Sequence, residues 1–246
     1  MLKDKFVAHR GWQSNYPENT LIGIQAAISA GARHVEIDIQ LSSDHIPILC
    51  HDHKLQRLCN SPLNINKCTQ AQLQVLSVYE PGRLGDKFIG TPLATLEDCI
   101  KLIAQHPDVT LYVEIKRQSL RTFGHAAILA AVTPLLEKIS SQSFIISFDI
   151  EILQQFKHKQ WQKIAPVLSS WKQAFSKKII DLSPPLLFCD IDLLAGKNLT
   201  ELPYPCAIYE VDDYQQAVAL VDQGAALIET FAVGEMITLD QRMHRL

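Results

Sequence analysis

The stretch Phe6-Val7-Ala8-His9-Arg10-Gly11, with Pro17-Glu18-Asn19-Thr20 behind it, points most directly to the fold of this chain. A short apolar run ends in a histidine and an arginine, and the glycine then allows the chain to turn. The second motif can cap a helix, which the apolar spacing predicts over residues 19–30. Two chemically versatile side chains therefore follow a predicted strand, the position that catalytic residues occupy in α/β barrels.

A second predicted strand, His34–Ile39, carries two acidic side chains on one face. Its period of two places Glu36 and Asp38 together, opposite three apolar residues. A barrel strand normally buries both of its faces. We therefore expect these two carboxylates to face a polar site inside the barrel.

Two further apolar runs also end in chemically active residues. Ile46–Cys50 predicts a third strand that ends at His51. Thr110–Lys116 predicts a fourth strand, with Glu114 and Lys116 two residues apart at its end. The same edge of the sheet is thus expected to receive polar groups from four segments.

Strands alternate with helical patterns along the chain, which predicts an α/β fold with a single TIM-type (β/α)8 barrel, a catalytic domain over residues 1–246. Residues 144–148, 163–168, 186–191, 206–211 and 226–230 are the other strand candidates. These make nine candidates for eight positions, and residues 186–191 are the run left unassigned. Residues from about 53 to 92 are rich in glycine, proline and asparagine and predict an insertion of about 40 residues between the third and fourth strands.

Composition narrows the class of protein. The chain has 246 residues, 47% of them hydrophobic, and a net charge of −3, so a large core is expected and nucleic acid is not an expected partner. Six cysteines without a C-x-x-C pair argue against a zinc ribbon. The first residues lack an apolar signal core, and no apolar run reaches the roughly 18 residues of a membrane span, so no such span is expected. We expect a cytoplasmic protein without stable membrane insertion, and the sequence is silent on oligomeric state.

Seven side chains from the four strand ends form one candidate site: His9, Arg10, Glu36, Asp38, His51, Glu114 and Lys116. Three carboxylates in a small site need a cation, and oxygen ligands without cysteine suit Mg²⁺ or Ca²⁺. Arginine and lysine suit a phosphate, and two histidines can take and give the protons of a phosphodiester cleavage. Each group alone could be structural, and their joint placement favours function.

At these residues the chain resembles the glycerophosphodiester phosphodiesterases. The matching pieces are His9-Arg10-Gly11, Pro17-Glu18-Asn19-Thr20, Glu36-Ile37-Asp38, His51-Asp52 with Leu55 and Arg57, Glu114-Ile115-Lys116 and Ser147-Phe148. The similarity covers residues 6–150 closely and the remainder in outline.

The resemblance implies a barrel of the phosphatidylinositol-phosphodiesterase type that releases sn-glycerol 3-phosphate and an alcohol from glycerophosphodiesters. It implies a divalent ion on Glu36, Asp38 and Glu114. It also implies His9 and His51 as the acid/base pair, with Arg10 and Lys116 on the phosphate. The assignment of acid and base, the presence of a cyclic phosphate intermediate, and the choice between Mg²⁺ and Ca²⁺ stay open at this point.

The last two strands depart from the family pattern. The family usually has tryptophan and threonine where this chain has Tyr209 and Glu210, and threonine and aspartate where it has Glu229 and Thr230. Tyr209 could still supply an aromatic wall. Phe148, Tyr209 and Glu229 are therefore candidates for the pocket that receives the alcohol.

Three alternatives were weighed against this interpretation. A lysophospholipase D acting on a lysophospholipid would need an apolar entrance, and the insertion offers few large apolar residues. A metal-dependent amidohydrolase is suggested by His51-Asp52-His53, but that class has its H-x-H pair on the first strand. A non-catalytic binding module on a decayed barrel is disfavoured because all the matched core residues are present.

Overall fold

The computed structural model describes residues 2–244. The strands within that range are β1 Phe6–Ala8, β2 His34–Leu41, β3 Pro47–Leu49, β4 Thr110–Ile115, β5 Ser143–Ser147, β6 Ile164–Pro166, β7 Leu187–Asp190, β8 Cys206–Tyr209 and β9 Leu227–Thr230. The α-helices are α1 Leu21–Ser29, α2 Gln56–Cys59, α3 Gln70–Leu73, α4 Pro81–Leu84, α5 Leu96–Ile103, α6 Arg117–Leu136, α7 Ile150–His158, α8 Lys177–Leu182, α9 Tyr214–Asp222 and α10 Val233–Met243. Short 3₁₀ turns occur at Lys3–Lys5, Ile65–Lys67, Glu137–Ile139, Trp171–Phe175, Ile191–Leu194 and Leu199–Glu201.

Eight parallel strands form the barrel, in the order β6-β5-β4-β2-β1-β9-β8-β7. The last gap, between β6 and β7, is closed by a parallel bridge between Val167 and Phe188, and the Leu168 amide donates to the Phe188 carbonyl at 2.8 Å. Apolar side chains fill the interior below the mouth, among them Val7, Tyr112, Ile146, Ala165, Phe188 and Ala207. The predicted TIM-type (β/α)8 fold is confirmed.

The strand that lies outside the barrel is β3. It pairs antiparallel with the end of β2, with Leu49 opposite Ile39 and Pro47 opposite Leu41. The prediction that residues 46–50 form a barrel strand is therefore wrong, and the unassigned run at 186–191 contains barrel strand β7. The physical reason is that three apolar residues fit a strand of either direction, and only the partner sets the direction. The connection that follows still lies between the third and fourth strands in chain order.

The segment between β3 and α5 has a small apolar core of its own. Its buried members include Ile48, Leu55, Leu58, Ile65, Leu73, Val78 and Leu93. The two ends of the segment are adjacent, since the Leu49 amide donates to the Ala94 carbonyl at 2.8 Å and Ile48 forms an antiparallel bridge with Thr95. The chain thus enters and leaves this compact cover at adjacent points, and the limits of the segment at about residues 53 and 92 stay a prediction.

One helical stretch, Arg117–Ile139, is long and apolar enough to cross a membrane by length and composition, with a mean hydropathy of 1.2. This is contrary to the expectation from the sequence. The helix is interrupted at Gly124, where φ is +78°, and Ile128 and Val132 are buried in the layer around the barrel. Only 28% of the apolar window is buried, and the test is one of length and composition alone, so the cytoplasmic location stays a prediction.

Candidate active site

A cavity of about 200 Å³ opens at the C-terminal mouth of the barrel. Nine of the ten predicted site residues line it: His9, Arg10, Glu36, His51, Glu114, Lys116, Phe148, Tyr209 and Glu229. The tenth, Asp38, is fully buried and contacts two of the lining residues. The structure therefore brings together the whole set proposed from the sequence.

The turn after β1 places His9 at the mouth. Arg10 and Gly11 both have positive φ, and a Cβ on Gly11 would lie 2.8 Å from the carbonyl carbon of Gly23 in α1. The close approach of the chain to this helix thus requires glycine. The His9 ring stacks on Phe231 after β9, with centroids 4.6 Å apart and planes 10° apart.

His9 is buried between two carboxylates. Its Nε2 lies 3.7 Å from Glu36 and its Nδ1 lies 3.4 Å from Glu210. Burial, followed by the charge of Arg10, nevertheless holds the pKa of His9 well below its ordinary value. The ring is therefore expected to be neutral at pH 7, which suits a proton acceptor.

Asp38 is the centre of the ion-pair network. Arg10 Nε lies 3.1 Å from its Oδ2, and Lys116 Nζ lies 3.1 Å from its Oδ1. The side chain of Asn19 donates to Oδ2 at 2.9 Å. Burial acts to raise the pKa of Asp38, but the charges of Lys116 and Arg10 outweigh it and hold the pKa well below its ordinary value. Lys116 Nζ also lies 2.9 Å from Glu114 Oε1. The side chains of Arg10 and Lys116 are therefore both held by ion pairs to carboxylates of the site.

Carboxylates crowd the floor of the cavity. One oxygen each of Glu36, Asp38 and Glu114 lie within 4.8 Å of one another, and His9, Glu36 and Glu229 form a second such group. Burial, and then the neighbouring carboxylates, raise the pKa of Glu36 well above its ordinary value. Within residues 2–244, Glu36 Oε1 and Glu229 Oε1 are buried and accept no hydrogen bond. Hard oxygen donors with uncompensated charge are what a divalent cation requires.

His51 reaches the same site from β3. The antiparallel pairing returns the chain over the mouth, where the Cys50 amide donates to the Asp38 carbonyl at 2.9 Å. His51 Nδ1 lies 2.8 Å from Asp52, and Arg57 Nε donates to the other oxygen of Asp52 at 2.7 Å. Asp52 therefore orients the ring and leaves its Nε2 for a ligand.

Glu18 is a buried member of the site to which no role was given from the sequence. Its two oxygens accept from Arg57 at 2.8 and 2.9 Å, and Arg10 lies 3.3 Å away. Its backbone amide donates to Glu80 at 2.7 Å. Glu18 thus joins the loop after β1 to the cover segment, and its place inside the Pro17–Thr20 motif was the only signal in the sequence.

The rest of the cavity lining includes aromatic and acidic side chains. Phe148 and Tyr209 line the cavity as predicted, together with Phe188, Asp190 and Glu210, which were not among the predicted site residues. Asp190 and Glu210 end or follow short strands in the region where the chain departs from the family pattern. No motif marked them.

Comparisons with known proteins agree with this geometry. The profile of the Glycerophosphoryl diester phosphodiesterase family matches residues 9–199. Glycerophosphodiester phosphodiesterase 1 of Mus musculus is 28% identical over 167 residues, which are 66% of this chain and 48% of the mouse protein, so the chain spans about half the length of this relative. A glycerophosphodiester phosphodiesterase of Caldanaerobacter subterraneus is 24% identical over 88% of this chain and 90% of its own length.

A solved structure shows the same fold. A phosphodiesterase of Oleispira antarctica, in complex with the product sn-glycerol-3-phosphate, superposes with a TM-score of 0.82 at 23% identity, over 96% of each chain. The family profile covers more than three quarters of the sequence and all the site residues described above except Tyr209, Glu210, Glu229 and Phe231. The chain belongs to the Glycerophosphoryl diester phosphodiesterase family.

Proposed function

We propose that this chain hydrolyses glycerophosphodiesters to sn-glycerol 3-phosphate and an alcohol, in a reaction that depends on a divalent cation. The observation that carries the proposal is the convergence of two histidines, two cations and a set of buried carboxylates on one cavity. Membership of the family supports the reaction class. The product bound to the Oleispira antarctica phosphodiesterase supports the substrate class.

Arg10 and Lys116 are assigned to the substrate phosphate. Both line the cavity, and both are held in place by Asp38. A guanidinium and an ammonium fixed in this way can stabilise charge on the phosphoryl oxygens without further reorganisation.

His9 and His51 are assigned to proton transfer. Both histidines line the same cavity but come from different elements. His9 follows barrel strand β1, and His51 lies on the cover segment after β3. Because burial holds the pKa of His9 below its ordinary value, the ring suits a proton acceptor for the nucleophile, which is either water or a hydroxyl of the substrate's own glycerol. His51, hydrogen-bonded to Asp52, is then assigned to give a proton to the leaving alcohol.

Glu36, Asp38 and Glu114 would hold the cation, Mg²⁺ or Ca²⁺. Their oxygens are close enough to share one ion, and the uncompensated oxygen of Glu36 fits that role. When bound, the ion supplies Lewis-acid stabilisation of charge on phosphate oxygens and lowers the pKa of a bound nucleophile.

Phe148 and Tyr209 are assigned to the part of the cavity that receives the alcohol. Glu229, the third candidate from the sequence, lines the same cavity but has a carboxylate oxygen within 4.8 Å of Glu36. The cover segment then limits the size of the alcohol. The substrate is a small molecule on this proposal, and the reaction takes place in the cytoplasm.

The test is direct measurement of sn-glycerol 3-phosphate released from glycerophosphocholine and glycerophosphoethanolamine, with and without EDTA, for wild type and His51→Ala. We expect turnover by the wild type only, and only without EDTA. Activity that survives both EDTA and the substitution would refute the mechanism. Turnover of a lysophospholipid alone would identify a lysophospholipase D, and binding without turnover would identify a binding module.

A further inference from the structure

Four carboxylates lie buried at the floor of the cavity, and only two of them are matched by cationic side chains. Asp38 contacts both Arg10 and Lys116, and Glu114 contacts Lys116. Glu229 forms no ion pair among residues 2–244. Glu36 accepts a hydrogen bond from the Arg10 backbone amide at 3.1 Å, which carries no formal charge. The deficit of positive charge therefore lies at Glu36 and Glu229.

The two unmatched carboxylates face each other across β1. Glu229 is in register with Val7 on one side of this strand, and Glu36 is on β2, which pairs with the other side. Each has an oxygen, Oε1, that is buried and accepts no hydrogen bond within the described range. The two residues are only 1% and 3% exposed, and both line the cavity. Their unpartnered oxygens are thus available to one ligand in the cavity.

A divalent cation matches this deficit in charge and in position. Two buried carboxylates without partners are costly, and one ion of charge +2 neutralises both. We propose that Glu229 is an additional carboxylate ligand of the cation. Glu36 belongs both to the group with Asp38 and Glu114 and to the group with His9 and Glu229, and the ligand atoms of each group lie within 4.8 Å of one another. This inference rests on the cation of the proposed function. It assigns the ion to carboxylates and leaves His9 to proton transfer.

Glu229 lies near the end of the final strand, next to Thr230. Here Thr230 donates to Asp212 at 2.7 Å, outside the group of carboxylates at the cavity floor. An added anionic oxygen donor raises the charge of the ligand set, and a higher charge favours tighter binding of hard cations.

The experiment is calorimetric titration of the cation-free protein with Mg²⁺ and with Ca²⁺ alone, without substrate. Wild type is compared with Glu229→Gln, which keeps the shape and removes the charge, and with Glu229→Asp, which keeps the charge on a shorter side chain. Glu210→Gln is the matched control, because Glu210 lines the same cavity and contacts His9 rather than the carboxylates. Circular dichroism in EDTA verifies that each variant is folded.

We expect one ion per wild-type chain, and an affinity lowered about 10- to 100-fold in Glu229→Gln, by the scale on which metal-site partners act. The cation affinity of Glu229→Asp should lie between those of wild type and Glu229→Gln. The affinity of Glu210→Gln should stay within about threefold of the wild-type value. If Glu229→Gln binds the cation with wild-type affinity, the role of Glu229 is overturned and the proposed function is not. The same holds if the wild type binds two ions per chain and Glu229→Gln binds one. A wild type that binds no ion overturns the cation of the proposed function as well.

Discussion

Replacing Glu18 by glutamine tests whether the cover segment is fastened to the barrel by one buried charge. Glu18 is fully buried, and it holds Arg57 of the cover segment by two hydrogen bonds and Arg10 by an ion pair at 3.3 Å. Glutamine has the same shape, keeps one acceptor and lacks the charge. Arg10 would then keep only Asp38 as a close anionic partner, and Arg57 would lose its buried partner but keep Asp52.

The expected loss is about 3 kcal/mol of unfolding free energy. Removing one partner of a buried ion pair costs about 3–5 kcal/mol. The Arg57 side chain is 45% exposed and can recover water contacts, which places the estimate at the lower end of that range. The Arg10 side chain is only 12% exposed and cannot recover in the same way.

Urea unfolding at pH 7, followed by circular dichroism, measures the change. Glu97→Gln is the matched control, since Glu97 pairs with Lys101 and Lys138 on the surface and should cost less than about 1 kcal/mol. A loss in Glu18→Gln as small as that of the control would show that the network does not hold the cover segment.

The pH dependence gives a second check on Glu18. Burial acts to raise its pKa, but the hydrogen bonds from Arg57 and the charges of Arg10 and Arg57 outweigh it, so the pKa is lower in the folded state. A depressed carboxylate pKa stabilises the protein above the unfolded value, near 4.5, and this contribution is lost as the pH falls through the folded value. The difference between wild type and Glu18→Gln should therefore be complete at pH 7 and shrink in acid.

Three further outcomes are expected. In EDTA, Glu229→Gln should become more stable relative to wild type as the pH rises above about 5, by up to about 1.4 kcal/mol per pH unit. The reason is that burial and then the charge of Glu114 raise the pKa of Glu229 well above its ordinary value. Urea unfolding at pH 5 and pH 7 measures the difference in stability, and a difference that does not change with pH contradicts the prediction. Gly11→Ala should cost about 2–3 kcal/mol in urea unfolding, because its φ is +83° and its Cβ would meet α1. Phe231→Leu should lower kcat about five- to tenfold with little change in KM, because the stacking on His9 contributes about 1 kcal/mol; an unchanged kcat would show that the ring is positioned by other contacts.

The alternation of side chains along single strands was enough to predict which carboxylates of the site lie together. Glu36 and Asp38 share a face because strand side chains alternate, and Asp38 is opposite Glu114 in the register of β2 and β4. Parallel strands in a barrel bring such residues to one end whatever their distance in the chain. The predicted fold and the predicted convergence of Glu36, Asp38 and Glu114 therefore follow from short-range pattern.

The features of the fold and the site that the sequence did not predict depend on contacts between segments that are distant in the chain. The direction of β3 is set by its pairing with the protruding end of β2, which three residues cannot encode. The link between Glu18 and Arg57 and the stacking of Phe231 on His9 join residues far apart in the chain. No periodicity marks such pairs, because each side chain is placed by a different element.

The adjacent ends of the cover segment have a consequence for protein engineering. Because the Leu49 amide bonds to the Ala94 carbonyl, the chain leaves and re-enters the barrel layer at one point. A segment attached in this way can be exchanged for one of another length without separating its neighbours. His51, Asp52 and Arg57 lie just inside that point, so a transplant should start after Arg57. Chimeras joined after Arg57 would vary the part of the cover segment that follows Arg57. His51 would keep its position and its hydrogen bond to Asp52.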